Sequence, residues 1–241
     1  MLLLVLFVPS CLNAKAAEPQ TVTPLADTYV DSSSSTVIHG GEEYLKVSES
    51  SSGLSITLLM FSLSEVSHNS NASFEAKLRL RGCSVTSSFV IGVHWYVNNA
   101  WDEDTLTSAN VSSSYIGQKP ESVARVTSEN VYYEWNVTEI VGIAIRENFE
   151  KVTFVLEAEE EVAGDTFVLF YSKDQQQYPP SECVPQLVFT YHNVSDNASG
   201  VSLDMIGKVI LGGLASVGVV FVAYKFLKKP AKKRRRFSSL R

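Results

Sequence analysis

Between residues 21 and 191 apolar and polar side chains alternate in short runs broken by clusters of Ser, Asn, Gly and Asp. A period of two predicts antiparallel strands, each with one face turned to a core. The clearest run is 75–85, with Ala76, Leu78, Leu80 and Gly82 on one side and Lys77, Arg79, Arg81 and Cys83 on the other. Residues 88–97 repeat the pattern, setting Phe89, Ile91, Val93 and Trp95 against Val90, Gly92, His94 and Tyr96. Further strands are expected at 43–48, 54–63, 123–128, 131–137, 151–157, 166–172 and 184–192. One helical turn interrupts them, where Thr138 is placed to cap a run through Ile140, Val141, Ala144 and Ile145. The expected fold is therefore all-β, a two-sheet jelly-roll sandwich with one short helix over residues 21–192.

A different pattern begins near residue 205. Residues 209–224 carry no charge and lie between Lys208 and Lys225, so with snorkelling lysines 205–227 is long enough for a single transmembrane helix. The following tail, 228–241, contains Lys and Arg but no acid, as expected of a cytoplasmic end, and its KKRRR run would also suit an endoplasmic-reticulum retrieval signal. Residues 193–204 read as a polar stalk. The formal charge of −6 conceals an asymmetry: residues 1–207 hold ten Lys and Arg against all twenty-six Asp and Glu, which puts them at −16, and the remainder stands at +10. An acidic domain repels phosphate, which argues against nucleic acid as a partner.

At the other end, the apolar run 2–8 followed by Ala14-Lys15-Ala16 predicts a cleaved signal peptide over 1–16. Cys11 would leave with it, and the expectation for Cys83 and Cys183 in an oxidising compartment is one disulfide, with two buried thiols as the alternative. Sequons at Asn71, Asn110, Asn136, Asn193 and Asn197 fit a glycosylated, outward-facing type I membrane protein.

Several segments together resemble the DNRLRE-type domain, also classed as carbohydrate-binding module family 96. They are Ala26-Asp27-Thr28-Tyr29-Val30, the strand 56–63, Ala76-Lys77-Leu78-Arg79-Leu80, and the turn from Trp101 to Thr107. Trp135-Asn136-Val137-Thr138-Glu139-Ile140-Val141, Val168-Leu169-Phe170-Tyr171-Ser172-Lys173 and Pro185-Gln186-Leu187-Val188-Phe189 complete the set. The resemblance implies a β-sandwich that binds polysaccharide, alginate in the best-known members, and that acts as an accessory module rather than as an enzyme.

Candidate binding residues follow from the outward positions. Lys77, Arg79 and Arg81 form a basic row able to hold a carboxylate or sulfate, unless acids such as Glu157 and Glu159 pair with them across strands. His94 and Tyr96 flank Gly92, and Tyr132 lies outward on another strand, so these three are candidates for sugar contact. Trp95, Tyr133, Trp135 and Tyr171 belong to the apolar faces and are expected in the core, with Trp101 pinning a turn. No cofactor is expected, although Asp102, Glu103 and Asp104 offer carboxylates that calcium would accept. The four histidines have no partner acid nearby in sequence, and no nucleophile elbow or phosphate loop occurs. The reading is a membrane-anchored polysaccharide-binding glycoprotein. The alternatives are an adhesion protein whose sandwich binds another protein, and a polysaccharide lyase or hydrolase with its acids on separate strands.

Overall fold

The computed structural model describes residues 18–51, 53–66, 72–160, 165–179 and 183–193. The compact unit ends at Asn193, and the expected signal peptide, stalk beyond Asn193, membrane segment and tail lie outside the described residues. Among the described residues no helix is long and apolar enough to cross a membrane.

Eleven strands are described, all paired antiparallel: β1 (Gln20–Val22), β2 (Pro24–Asp31), β3 (Tyr44–Ser50), β4 (Gly53–Ser62), β5 (Ala72–Val85), β6 (Phe89–Tyr96), β7 (Ser122–Val126), β8 (Tyr132–Asn136), β9 (Lys151–Ala158), β10 (Phe167–Tyr171) and β11 (Gln186–Asn193). They follow one another in a curled sheet in the order β1-β11-β5-β10-β3-β4-β9-β6-β7, with β2 on β4 and β8 on β5. The single α-helix, α1 (Thr138–Arg146), follows β8 directly. This mostly-β architecture, a curled antiparallel sheet with one helix, is consistent with a β-sandwich. Nine of the strands match the expected runs, and β1 and β2 are the additions. β2 escaped the alternation test because Asp27, Thr28 and Asp31 are buried there beside Val30, so polar residues occupy positions a pattern reading reserves for apolar ones.

The core lies between the curled layers. Ala76, Leu78 and Leu80 of β5 meet Phe89, Ile91 and Val93 of β6, Phe154 and Leu156 of β9, Phe170 of β10, and Ile140, Val141 and Ala144 of α1. Trp135 is fully buried at its centre, donates its indole N–H to the Ile91 carbonyl at 2.9 Å, and packs edge-on against Phe170. Tyr133 is buried too, its hydroxyl bonded to the backbone of Thr127 and Ser128. Trp95 is only half-buried and meets the ring of Phe149. Thr138 does not cap α1 as expected: its Oγ1 accepts the Ala76 amide at 2.9 Å, and Asn136 Oδ1 takes the Thr138 amide at 3.0 Å.

Both faces of β9 and most of both faces of β4 are buried. The second face is covered by residues 97–121, which bury Trp101, Leu106, Val111 and Ile116. Trp101 donates to Thr153 Oγ1 at 3.1 Å, and Ile116 bridges to Tyr96. The covering segment is braced from the other side by Gly40, where an added Cβ would sit 2.2 Å from the Glu103 carbonyl oxygen. Gly40→Ala is expected to destabilise by about 1–3 kcal/mol, because backbone must move to admit the methyl group. A thermal midpoint unchanged from wild type would refute this close approach.

Candidate functional site: the outward face of β5 and β8

Strand pairing brings four of the six expected binding residues together. In register, Lys77 lies opposite Asn136, Arg79 opposite Glu134 and Arg81 opposite Tyr132. Since Leu78, Leu80, Tyr133 and Trp135 point to the core, the period of two sends the named six to the other side. The Arg79 guanidinium stacks on the Tyr132 ring, 3.9 Å from its centroid. Arg81 stands 6.0 Å from the same centroid and 5.8 Å from that of Tyr178, so Arg79, Tyr132, Arg81 and Tyr178 alternate cation and ring. Such stacking fixes each guanidinium plane while leaving N–H groups at its edge to donate.

The row continues inward through Tyr171, whose ring meets Tyr178 edge-on at 5.5 Å and Tyr44 at 6.1 Å. Tyr171 is buried as expected, on the side of β10 opposite Phe170. It faces outward under Tyr178, and burial together with the Tyr178 hydrogen bond pushes its phenol up to about 12. Tyr178 itself is 38% exposed and is held by Gln175, whose side chain bonds both the amide and the carbonyl of residue 178. Sequence reasoning passed over Tyr178; the available signal was a lone aromatic in the polar run Gln175-Gln176-Gln177-Tyr178-Pro179.

Acids temper the basic row, but not those expected. Lys77 Nζ lies 3.8 Å from Glu75 and 3.5 Å from Glu134, and Arg79 Nε lies 3.6 Å from Glu134. These are long, half-exposed pairs, worth at most about 1 kcal/mol each, and a ligand carboxylate can displace them. Glu157 and Glu159 sit elsewhere, alongside β6.

His94 and Tyr96 are corrected from outward to buried, each 1% exposed beneath residues 97–121. The His94 ring is fully engaged, Nδ1 at 2.9 Å from the Gly117 carbonyl and Nε2 at 2.7 Å from Glu159 Oε1. Gly92 is not open either: a Cβ there would lie 2.4 Å from Glu159 Oε1, so the carboxylate fills the gap left by the absent side chain. A long covering loop overrode the period of two on this face.

The expected Cys83–Cys183 disulfide is not formed: both are free thiols. Arg81 Nη1 donates to Cys183 Sγ at 3.4 Å, and burial pushes the Cys83 thiol up to about 12, which keeps it protonated. Of the sequons, Asn110 is exposed and turn-bound, its Oδ1 taking the Thr107 amide at 2.8 Å and its Nδ2 donating to Thr105 O at 3.1 Å. Asn136 is exposed at the end of β8. Asn71 and Asn197 lie outside the described residues, and Asn193 ends β11.

The acids proposed for calcium separate. Asp102 and Asp104 are exposed in a turn, where Asp102 Oδ1 takes the Asp104 amide at 2.8 Å. Glu103 turns inward to join Asp27 and Asp174, ligand atoms within 4.8 Å of one another. Lys173 already supplies the positive charge there, with Nζ at 2.9 Å from Glu103 and 2.8 Å from Asp174, while Glu103 Oε2 accepts the Asp27 amide. Asp27 in turn receives the Ser172 hydroxyl at 3.1 Å and the Lys173 amide at 2.8 Å. This knot ties β2, the covering segment and the exit of β10, which leads to Tyr178.

A mostly-β fold that sets aromatic rings and guanidinium groups side by side on an outward sheet face is compatible with sugar binding. The profile of carbohydrate-binding module family 96 matches residues 18–190, and the chain belongs to that family. No curated protein matches it.

Proposed function

We propose that the domain is a non-catalytic module, a jelly roll that binds a polysaccharide bearing carboxylate or sulfate groups on the outward face of β5 and β8. The observation that carries this reading is the unbroken row Arg79, Tyr132, Arg81 and Tyr178, which joins planar donors to ring faces at the spacing of a sheet. Sugars need both, rings for their C–H faces and guanidinium N–H groups for their oxygens. In this proposal 1–16 is a cleaved signal peptide, 205–227 a membrane span and 228–241 a cytosolic tail, which places the module outside the cell or in a secretory lumen. The support is the uncharged run 209–224 followed, from Lys225 onward, by nine basic residues without an acid.

The test is binding to alginate, polygalacturonate, sulfated and neutral polysaccharides by the wild type and an Arg79→Ala, Arg81→Ala variant. Each lost charge-assisted contact is worth about 1.5–3 kcal/mol, so the double variant is expected to bind at least about 100-fold more weakly. Its thermal midpoint is measured alongside: Arg79 is over one-third exposed, and loss of the Arg81 contact to Cys183 is expected to cost about 1 kcal/mol, too little to unfold the domain. Silence of the folded wild type across the whole panel would transfer the face to a protein partner. Equal binding by both forms would move the sugar site elsewhere.

A further inference from the structure

The sequon Asn136-Val137-Thr138 lies on the proposed binding face. Asn136 is the cross-strand partner of Lys77, and Arg79 is its diagonal neighbour, roughly 7–8 Å away. Its side chain is already oriented. Oδ1 accepts the Thr138 amide, and Nδ2 makes no hydrogen bond among the described residues. N-glycosylation consumes one Nδ2 hydrogen and leaves Oδ1 as an acceptor, so a glycan can be carried there without loss of the turn that starts α1.

Resting on the reading of this face as a polysaccharide site, we propose that Asn136 carries an N-linked glycan which lies across Lys77, Arg79 and Tyr132 and competes with external polysaccharide, so that occupancy of this sequon sets the affinity of the module. The modification itself is a displacement at carbon. Asn136 Nδ2 attacks C1 of an oligosaccharide carried on a lipid pyrophosphate and the Nδ2–C1 bond forms. The C1–O bond breaks with its electron pair leaving on the pyrophosphate, and the transferring enzyme takes one Nδ2 proton. In the folded domain Thr138 Oγ1 holds the Ala76 amide, so the sequon hydroxyl is free for that enzyme only before β8 and α1 dock on β5. The attachment is therefore made on the nascent chain.

The competition follows from tethering. A glycan anchored one strand away from Lys77 experiences an effective concentration on the order of millimolar at the face. If its own contacts there are as weak as roughly 0.1 mM, it raises the apparent Kd of a soluble polysaccharide about tenfold. Asn110 supplies the internal comparison, because its sequon lies on the segment covering β6 and β9 rather than on β5 and β8.

The experiment uses the full chain made in a glycosylating secretory host, with peptide mass spectrometry reading occupancy at Asn136. Affinity for polygalacturonate and chondroitin sulfate is then measured on four forms: wild type, wild type trimmed by an endoglycosidase that leaves one sugar, Asn136→Ser and Ser112→Ala. Serine keeps an acceptor oxygen for the Thr138 amide, and trimming changes no residue, so a folding defect in one cannot imitate the effect in the other. An occupied Asn136, with binding about tenfold tighter in the trimmed and Asn136→Ser forms and unchanged in Ser112→Ala, supports the proposal. An unmodified Asn136, or an occupied one with equal affinity in all binding forms, overturns the shielding alone. Failure of every form, trimmed or not, to bind either polysaccharide overturns the reading of the face and the shielding with it.

Discussion

Thermal unfolding of the domain is expected to shift to lower temperature as pH rises from about 4 to about 7, with Asp27→Asn removing most of that shift. Asp27 is 1% exposed, and burial pushes its carboxyl from an ordinary 3.8 up to about 7. The Lys173 amide and ammonium and the Ser172 hydroxyl pull it back only in part, and Asp174 adds to the rise. The same knot holds Lys173 charged. Burial alone would favour the neutral amine, but Asp174 and Glu103 outweigh it. The lysine is thus compensated by its two less buried acids, and Asp27 is not.

The sign follows from proton counting. Between its unfolded and folded pKa the unfolded chain has already released the Asp27 proton while the fold retains it, so stability falls with pH in that window. The stability is full below about 4 and lost by about 7, on the order of 4 kcal/mol at 1.36 kcal/mol per pKa unit. For a domain of this length that corresponds to on the order of 10 °C in midpoint. Asp31, on the same strand, has the opposite sign. Burial raises it, but the Ser33 hydroxyl and amide and the Lys46 ammonium outweigh burial and hold it at about 2. Its contribution is present above about 3.8 and lost as pH falls toward 2, so the two acids bracket an optimum near pH 4. Equal slopes for wild type and Asp27→Asn across pH 4–7 would show that Asp27 is ionised in the fold.

Trp135→Ala is expected to cost about 3–5 kcal/mol, the usual range for emptying a buried aromatic site. The indole is fully buried between β5, β10 and the β6 carbonyl to which it donates, and its removal leaves a cavity that neighbouring strands cannot collapse into without breaking ladder bonds. Trp135→Phe separates the terms: it keeps much of the volume, and its cost beyond repacking reports the lost hydrogen bond, about 1 kcal/mol. Urea titrations at fixed pH measure both. A loss below about 1 kcal/mol for Trp135→Ala would contradict the central placement of this residue.

The basic row was legible because a strand's period of two is local: once 75–85 is read as a strand with Leu78 and Leu80 inward, Lys77, Arg79 and Arg81 have no other side to occupy. The same rule failed at His94 and Tyr96, where alternation gives the side of the sheet but not what lies over it. Residues 97–121 form no strand of their own and carry their apolar anchors Trp101, Leu106, Val111 and Ile116 every fifth residue, which is neither the period of two of a strand nor the 3.6 of a helix, so neither pattern announced a cover.

What the sequence determined by itself is the all-β class, the position of nine strands, the inward and outward faces of β5 and β8, and the family to which the chain belongs. These depend on neighbours along the chain, through sterics and the pleat. Tertiary structure decided which outward faces meet solvent, that Tyr132 stacks on Arg79 and Tyr178 stands beside Arg81, that Lys173 closes the Asp27 knot, and that Asn136 stands beside Lys77. Each of these joins residues far apart in sequence, and their meeting depends on strand order and register, which the packing of the whole core selects.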